Sequence, residues 1–264
     1  MTETDSAGTV GALEVTDVTV RFAGLTALDR VSFTVDPGSV HAVIGPNGAG
    51  KSTCFNVLSG VYRATSGSVR LGGTEITGLA PDRIAALGVA RTFQNLALPP
   101  QATVAQSLLL GRHRLTRTGF IAAGLRLPSA ARESRQHLER VREIADFVGL
   151  ADDLDRPAGV LPYGKQKLVE LARALCMEPR LLLLDEPVAG MTADERRATA
   201  AVVAGVRDSL GISIVLVEHD MGVVMRLADA VTVLDFGRRI AGGPPAQVQS
   251  DPAVIQAYLG APTP

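Results

Sequence analysis

The chain has 264 residues, 46% of them hydrophobic, and a formal net charge of −1 at pH 7. This length allows one large domain or two small ones with a substantial core. The charge argues against a general nucleic-acid binder, which would carry a basic excess. No run of apolar residues is long enough to span a bilayer. Only two cysteines are present, Cys54 and Cys176, so we expect small buried thiols rather than a disulfide framework or a metal cluster.

The first elements of the chain predict a disordered tail followed by an antiparallel sheet. Residues 1–11 are small and polar and lack the basic end and apolar stretch of a signal peptide, which favours a cytoplasmic protein. The runs Leu13–Phe22 and Val31–Val35 alternate in polarity and end at turn residues, as strands do. We expect Val69–Leu71, which stands before two glycines, to join them in the same sheet.

A phosphate-binding loop follows, with the sequence Gly-Pro-Asn-Gly-Ala-Gly-Lys-Ser. It stands between an apolar, β-branched run, Val40–Ile44, and a segment that can form a helix, Thr53–Ser59. The glycines let the backbone approach phosphate closely, and the helix N-terminus directs N–H groups at it. Lys51 would reach the β- and γ-phosphates, and the Ser52 hydroxyl would ligate Mg²⁺. The predicted nucleotide-binding residues are Gly45, Pro46, Asn47, Gly48, Ala49, Gly50, Lys51, Ser52 and Thr53.

A helical stretch then interrupts the α/β pattern. Gln94 lies on a loop after a short strand, Gly88–Ala90, and its side-chain oxygen can coordinate Mg²⁺ or the attacking water. The segment Ser129–Val148 places apolar residues on one stripe, as in an amphipathic helix. We therefore predict one domain over residues 12–260 with a helical subdomain at about 96–178, and a short tail at 261–264.

A second helix start that can receive an anion stands at Leu161–Gln166, ahead of a predicted helix over Gln166–Leu175. An ordinary helix start is the equally simple alternative for this segment. Two continuous apolar runs follow, Leu181–Leu184 and Ile212–Val217, and both read as buried parallel strands. A short hairpin is expected from Ala230–Leu234 onwards.

The polar residues after these two strands should meet at the phosphates, because ligands bind at the carboxyl ends of strands in open α/β sheets. Asp185 would hold Mg²⁺ opposite Ser52, and Glu186 is placed to polarise an attacking water. His219 could contact the γ-phosphate. The remaining histidines have no such context.

With these motifs in this order, the chain resembles the ATP-binding subunit of an ABC transporter over roughly residues 12 to 260. The resemblance implies an α/β fold: a P-loop NTPase core with a mainly parallel sheet, an N-terminal antiparallel β subdomain and an α-helical insertion. It implies ATP and Mg²⁺ as ligands, with Ser52, Gln94 and Asp185 on the metal. Glu186, His219 and Gln94 would serve hydrolysis. Phe22 matches the aromatic residue that stacks on adenine, although core packing is its plain alternative.

The resemblance also implies a head-to-tail dimer in which each ATP lies between two subunits. Tyr163, Gly164 and Lys165 would then contact the ATP bound by the partner chain. Two departures from the family pattern stand out. Pro162 replaces the serine of the signature motif, so the serine contact to phosphate cannot form, and Lys165 could supply charge instead. Thr192 stands where the family carries an aspartate.

Details of the sequence narrow the resemblance to ATPases of high-affinity branched-chain amino acid importers. They are the Pro-Tyr-Gly signature, the run from Arg91 to Asn95, the helical insert and the ending Pro252–Gly260. Urea and amide importers and the lipopolysaccharide-export ATPase are the nearest alternatives, and a nucleotide-binding module without transport is a more distant one.

The implied partners are integral membrane permeases, a second ATPase subunit and, indirectly, a substrate-binding protein. The implied location is the inner face of the cell membrane. A basic cluster at Arg112, Arg114 and Arg117 could meet lipid headgroups or acidic permease loops, with a solvated face as the alternative.

Overall fold

The computed structural model describes residues 11–92, 98–116 and 128–259. The predictions on Gln94, on Arg117 and on the tail at 261–264 lie outside these residues, as does the predicted tail at 1–11 except for its last residue. The chain divides into two compact units, one of residues 1–89, 180–186 and 203–264, and one of residues 90–179 and 187–202. The expected helical subdomain falls within the second unit. None of the described helices combines the length and apolar character needed to cross a membrane.

The first unit contains the predicted antiparallel sheet, with strand order β2-β1-β4-β5. Its strands are β1 (Leu13–Phe22), β2 (Leu25–Val35), β4 (Ser66–Leu71) and β5 (Thr74–Glu75). The predicted start of β2 at Val31 is wrong, because the strand begins six residues earlier. Ala23 and Gly24 both have positive φ, at 40° and 96°, and such two-residue turns let strand pairing resume at once. Phe22 therefore pairs directly with Leu25.

The second sheet is mainly parallel, as predicted, with strand order β10-β9-β3-β8-β7-β6. β3 lies within it, parallel to both β8 and β9. β7 is parallel to β8, and the edge strand β10 is antiparallel to β9. The strands are β3 (Val40–Ile44), β6 (Val89–Arg91), β7 (Leu181–Asp185), β8 (Ser213–Val217), β9 (Ala230–Asp235) and β10 (Arg238–Gly243). β3, β7 and β8 are buried along their whole length, which explains their continuous apolar sequences.

Nine α-helices lie within the described residues. In chain order they are α1 (Lys51–Leu58), α2 (Pro81–Ala86), α3 (Val104–Gly111), α4 (Pro128–Phe147), α5 (Tyr163–Leu175), α6 (Ala193–Leu210), α7 (Met221–Leu227), α8 (Pro245–Gln249) and α9 (Pro252–Leu259).

The core of the first unit lies on both faces of β3. Val43 faces a cluster shared with α1 and with the antiparallel sheet, and Phe55 of α1 is fully buried there. Ala42 and Ile44 face the opposite way, towards a second cluster that includes Val254 of α9. A strand with both faces covered is held rigidly, so the segment that follows β3 has a fixed starting point.

In the second unit, α3 packs against α4 and α5. Thr103 begins α3 with a reciprocal capping box to Gln106. Arg112 does not belong to a surface cluster, because its side chain is only 9% exposed. Its guanidinium bonds the Nδ1 atom of His137 at 2.8 Å and a carboxylate oxygen of Glu178 at 3.0 Å. The two cysteines are free and buried, and burial raises the pKa of each thiol to about 12.

Candidate nucleotide site

The loop between β3 and α1 is held by hydrogen bonds between its own backbone groups. The N–H of Ala49 donates to the carbonyl of Pro46 at 3.2 Å, and the N–H of Cys54 donates to the carbonyl of Gly50 at 2.9 Å. The helix therefore begins at Lys51, two residues before the predicted start at Thr53. Asn47 and Ser52 are exposed on the loop. This arrangement leaves N–H groups of the first helical turn open to an anion.

Lys51 is buried behind the loop, with 6% of its surface exposed. Its ammonium group donates to the carbonyl oxygens of Gly45 at 2.7 Å and Pro46 at 2.8 Å. Burial lowers the pKa of Lys51, and the negative charges of Glu186 and Asp185 oppose that shift. Both carboxylates, at the end of β7, are thus close enough to act on the charge of Lys51, which follows β3. The sequence predicted that the ends of these two strands would meet.

Asp185 is the last residue of β7 and is 5% exposed. Glu186 follows it with a φ of 49°, a region that residues other than glycine rarely occupy. The N–H of Glu186 donates to the carbonyl of Val217 at the end of β8, at 2.9 Å. The strained backbone is thus held by the neighbouring strand, and such strain is concentrated at functional sites.

His219 meets Glu186 at this edge of the sheet. Its Nε2 atom lies 2.7 Å from the Oε1 atom of Glu186, and 44% of the histidine side chain is exposed. The carboxyl ends of β7 and β8 therefore bring together two of the predicted catalytic residues. Together with Lys51, these two side chains form a cluster of acidic and basic residues at the carboxyl ends of the central strands.

Sequence reasoning missed the roles of the two carboxylates that flank His219. Glu218 is 3% exposed, and its carboxylate accepts from the N–H groups of His219 at 2.9 Å and Asp220 at 3.3 Å. Asp220 in turn caps α7 by accepting from the N–H of Val223 at 3.1 Å. The signal available was a histidine flanked by acidic residues immediately before an apolar segment.

Phe22 ends β1 on the surface of the first unit. It is 41% exposed and meets the ring of Tyr62 edge-on, with ring centroids 5.1 Å apart and an interplanar angle of 71°. Core packing therefore does not account for this aromatic. The exposed part of the ring offers an apolar surface on which a flat ligand could stack.

The second predicted anion site lies in the second unit. The helix prediction is corrected here, because α5 begins at Tyr163 rather than Gln166. The N–H of Gln166 already donates to the carbonyl of Pro162 at 3.0 Å, and a proline is tolerated at a helix start, where its missing N–H would have no intrahelical partner. Tyr163, Gly164 and Lys165 therefore form the first turn of the helix.

The structure gives Lys165 a partner in its own unit. Its ammonium lies 2.5 Å from one carboxylate oxygen of Asp153, and Arg156 lies 2.6 Å from the other. The Asp153 side chain is 3% exposed. The hydrogen bond from Lys165 is the largest cause that lowers the pKa of Asp153, and that from Arg156 adds to it.

Thr192, at the position where an aspartate was expected, forms a capping box with Glu195. Its N–H and its hydroxyl both donate to one Glu195 carboxylate oxygen, at 2.9 and 2.8 Å. The other carboxylate oxygen lies where a side chain at position 164 would begin, only 2.6 Å from an ideal Cβ on Gly164. Only glycine therefore fits at Gly164 without displacing this carboxylate.

Comparisons with known proteins define the family of this chain. Residues 28–189 match the family model described as "ABC transporter". The chain belongs to the ABC transporter family of ATP-binding subunits. Residues 238–262 also match a model described as "Branched-chain amino acid ATP-binding cassette transporter". The fold, the ATPase class and the binding of nucleotide are those of this family.

Among curated relatives, the branched-chain amino acid transport ATP-binding protein BraF of Pseudomonas aeruginosa is 42% identical over 94% of this chain and 97% of its own length. LivG of Escherichia coli, which carries the same description, is 38% identical with the same coverage. A solved ATP-binding cassette of an ABC transporter, MJ1267 in its ADP conformation, superposes with a TM-score of 0.82 at 32% identity. That match covers 94% of this chain and 98% of the other.

Proposed function

We propose that this ABC ATPase energises the uptake of branched-chain or related amino acids through membrane permeases. The observation that carries the proposal is the match of residues 238–262 to a branched-chain amino acid cassette model, in addition to the general cassette match. The descriptions of BraF and LivG as branched-chain amino acid transport proteins support the same proposal. The C-terminal match lies outside the motifs shared by ATP-binding cassettes, so it carries information on the type of transporter.

The phosphate loop binds the triphosphate in this proposal. Its backbone N–H groups and the N-terminus of α1 receive the phosphate oxygens. Lys51 exchanges its contacts with the carbonyls of Gly45 and Pro46 for the β- and γ-phosphates. Phe22 stacks on the adenine ring with its exposed face. Lys51 needs only a short movement of its ammonium group, because it already lies against the loop that holds the phosphates.

Hydrolysis uses the pair at the ends of β7 and β8. Glu186 polarises the attacking water, and His219 holds Glu186 in place and contacts the γ-phosphate. Catalysis of this kind consists of positioning and charge stabilisation at the transferred phosphoryl group. Gln94 is proposed to coordinate the same water or the metal through its side-chain oxygen. This residue lies outside the described part of the chain.

Mg²⁺ would supply neutralisation of charge on the β- and γ-phosphates. Ser52, Asp185 and Gln94 are the residues proposed to hold it. The donors fit this ion, which is usually bound through one or two carboxylates together with substrate phosphates and water. In the described part of the chain there is no group of three or more His, Cys, Asp or Glu side chains able to hold a metal.

The second anion-receptive helix start serves a partner subunit in this proposal. Tyr163, Gly164 and Lys165 contact ATP bound by the phosphate loop of a second ATPase, identical or related. The pair then docks on integral permeases at the inner face of the membrane, and a substrate-binding protein delivers the amino acid.

Transport in proteoliposomes tests the proposal. The chain would be co-purified with the permeases, the second ATPase and the binding protein encoded beside it, and uptake of radiolabelled leucine would be measured with ATP enclosed. We expect ATP-dependent uptake of leucine, isoleucine or valine, and none with the Lys51→Ala variant. Glu14→Gln, an exposed change on β1, is the matched control that should retain uptake.

Two outcomes would contradict the proposal. Uptake of urea or of an amide in place of amino acids would assign the chain to another importer. Full ATPase activity with no permease in the purified complex would remove the transport role and leave the ATPase.

A further inference from the structure

Phe22 has an aromatic neighbour that the proposed function does not use. Tyr62 lies in the segment between α1 and β4, and its ring centroid is 5.1 Å from that of Phe22, with an interplanar angle of 71°. Aromatic pairs favour this edge-on geometry, and it stabilises them by more than their buried area alone accounts for. The contact with Tyr62 therefore restricts the orientation of the Phe22 ring.

The backbone of Tyr62 is attached to the helix that follows the phosphate loop. Its N–H donates to the carbonyl of Asn56 in α1 at 2.9 Å. The chain reverses just before it at Gly60, which has a φ of 75° and stands where a Cβ would lie 2.5 Å from the carbonyl oxygen of Leu79. A larger residue would displace that backbone. This close-fitting reversal returns Tyr62 to the side of α1.

Three residues later, the same segment is bound to β1. The N–H of Thr65 donates to the carbonyl of Thr19 at 2.7 Å, and its hydroxyl accepts from the N–H of Arg21 at 3.1 Å. Arg21 immediately precedes Phe22 in the strand. Tyr62 is consequently held between two fixed points, one on α1 and the other on the end of β1 that carries Phe22.

The end of the hairpin that carries Phe22 is open to solvent. Phe22 is 41% exposed, and Leu25, its partner across the turn, is 68% exposed. A half-exposed side chain that is ordered only when a ligand binds loses conformational entropy at that moment, and the loss weakens binding. Packing against Tyr62 orders the Phe22 ring beforehand, so the base meets a ring that is already oriented.

We propose that Tyr62 is a positioning residue of the nucleobase site, which orients the Phe22 ring and thereby raises the affinity for nucleotides but not for a phosphate chain without a base. Tyr62 acts through Phe22 and needs no contact of its own with the nucleotide. The inference rests on the proposed stacking of adenine on Phe22. It also connects the base site to the helix of the phosphate loop, because the Tyr62 backbone is bound to α1.

The test compares Tyr62→Ala, which removes the ring, with Tyr62→Phe, which keeps it, and with Val61→Ala, which trims an exposed neighbour. Calorimetric titration of the full-length chain uses two probes, a non-hydrolysable imido analogue of ATP and inorganic tripolyphosphate. We expect Tyr62→Ala to bind the analogue about threefold to tenfold more weakly, the effect of one aromatic pair, and to bind tripolyphosphate normally. Tyr62→Phe and Val61→Ala should bind both probes as the unchanged chain does.

A double-mutant cycle with Phe22→Ala tests whether Tyr62 acts through Phe22. Once the Phe22 ring is absent, Tyr62→Ala should have almost no further effect on binding of the analogue. Additive losses would overturn the positioning role. Equal losses for the analogue and for tripolyphosphate in Tyr62→Ala would also overturn it, because they describe a loosened phosphate loop.

The single variants separate this inference from the proposed function. Normal binding of the analogue by Lys51→Ala would overturn the nucleotide site itself, and normal binding by Phe22→Ala would overturn the stacking on which the inference rests. Weaker binding by Phe22→Ala together with unchanged binding by Tyr62→Ala would overturn the positioning role alone.

Discussion

The Nε2 atom of His219 lies 2.7 Å from the Oε1 atom of Glu186. A carboxylate accepts hydrogen bonds, so this nitrogen carries the proton when the carboxylate is ionised. The Glu186 backbone is held in an unusual conformation by Val217, and the His219 backbone is held by the buried carboxylate of Glu218. Both partners are thus fixed through their main chains, and the contact between their side chains follows from the ends of β7 and β8.

Replacing Glu186 by glutamine should stop hydrolysis and leave ATP binding nearly unchanged. The amide keeps the size of the side chain but cannot polarise water as a carboxylate does. We expect the hydrolysis rate to fall at least about 100-fold, within the range attributed to general-base catalysis. Steady-state phosphate release measures this, with Glu14→Gln as the control at an exposed position. Unchanged turnover would remove Glu186 from the catalytic assignment.

A double-mutant cycle tests whether His219 works through Glu186. His219→Ala alone should lower the hydrolysis rate about 10-fold or more, because the orienting contact is lost. Combined with Glu186→Gln, it should add almost nothing, since residues that act as a unit are strongly non-additive. Phosphate release from the four proteins gives the coupling. Additive losses would show that the two residues contribute separately.

The sequence could predict that Glu186 and His219 lie at the same edge of the sheet, because that placement depends on local patterns. Continuous apolar runs marked β3, β7 and β8 as buried parallel strands, and the residues after each run had to share one edge of the sheet. Helix starts were less predictable. α5 begins at Tyr163 because the Pro162 carbonyl accepts from Gln166, and propensity does not favour a helix in a Pro-Tyr-Gly segment.

Contacts between distant segments could not be predicted. The pair of Lys165 and Asp153 depends on how a loop packs against α5, and neither residue has a motif to identify it. The bonds from the Arg112 guanidinium to His137 and to Glu178 join residues far apart in the chain. A pattern in one segment indicates its element, whereas these pairs follow from the tertiary arrangement.

Phe22 provides a test of adenine stacking. Phe22→Ala should weaken ATP binding by about 1–3 kcal/mol, the usual contribution of stacking between a base and an aromatic ring. Phe22→Tyr keeps the ring and should bind normally. Because Phe22 is 41% exposed, neither change should lower stability greatly. Calorimetric titration measures the affinity, and equal binding by all three proteins would contradict the stacking role.

Lys165 should contribute to the stability of the second unit. Lys165→Met leaves the buried Asp153 carboxylate with Arg156 as its remaining cationic partner in the pairs described above. We expect a loss of about 1–2 kcal/mol, less than the full effect of breaking a buried pair. This corresponds to a fall in melting temperature of roughly 2–8 °C for a protein of this size. The control is Arg197→Met, which breaks an exposed pair with Asp194 and should change little. Equal effects of the two variants would rule out a special role for the Asp153 pair.

The buried side chain of His41 should make the free energy of unfolding depend on pH. Burial, aided by the charge of Arg239, lowers the pKa of His41 from 6.5 to about 4. The ring stacks on Phe33 and bonds the hydroxyl of Thr232 at 2.9 Å. The folded protein keeps His41 neutral down to about pH 4, whereas the unfolded chain binds a proton near its ordinary pKa. The contribution of His41 to stability is therefore complete above about pH 6.5 and is lost as the pH falls towards 4, by about 3 kcal/mol in all.

His41→Gln removes the titrating group and keeps an amide able to bond Thr232. The difference in unfolding free energy between the original chain and this variant should be constant above pH 7 and should change by up to about 3 kcal/mol between pH 6.5 and 4. Urea denaturation followed by circular dichroism at a series of pH values measures it. A flat difference for His41→Gln would mean that the imidazole is protonated in the folded state, which the buried stack against Phe33 does not permit without cost.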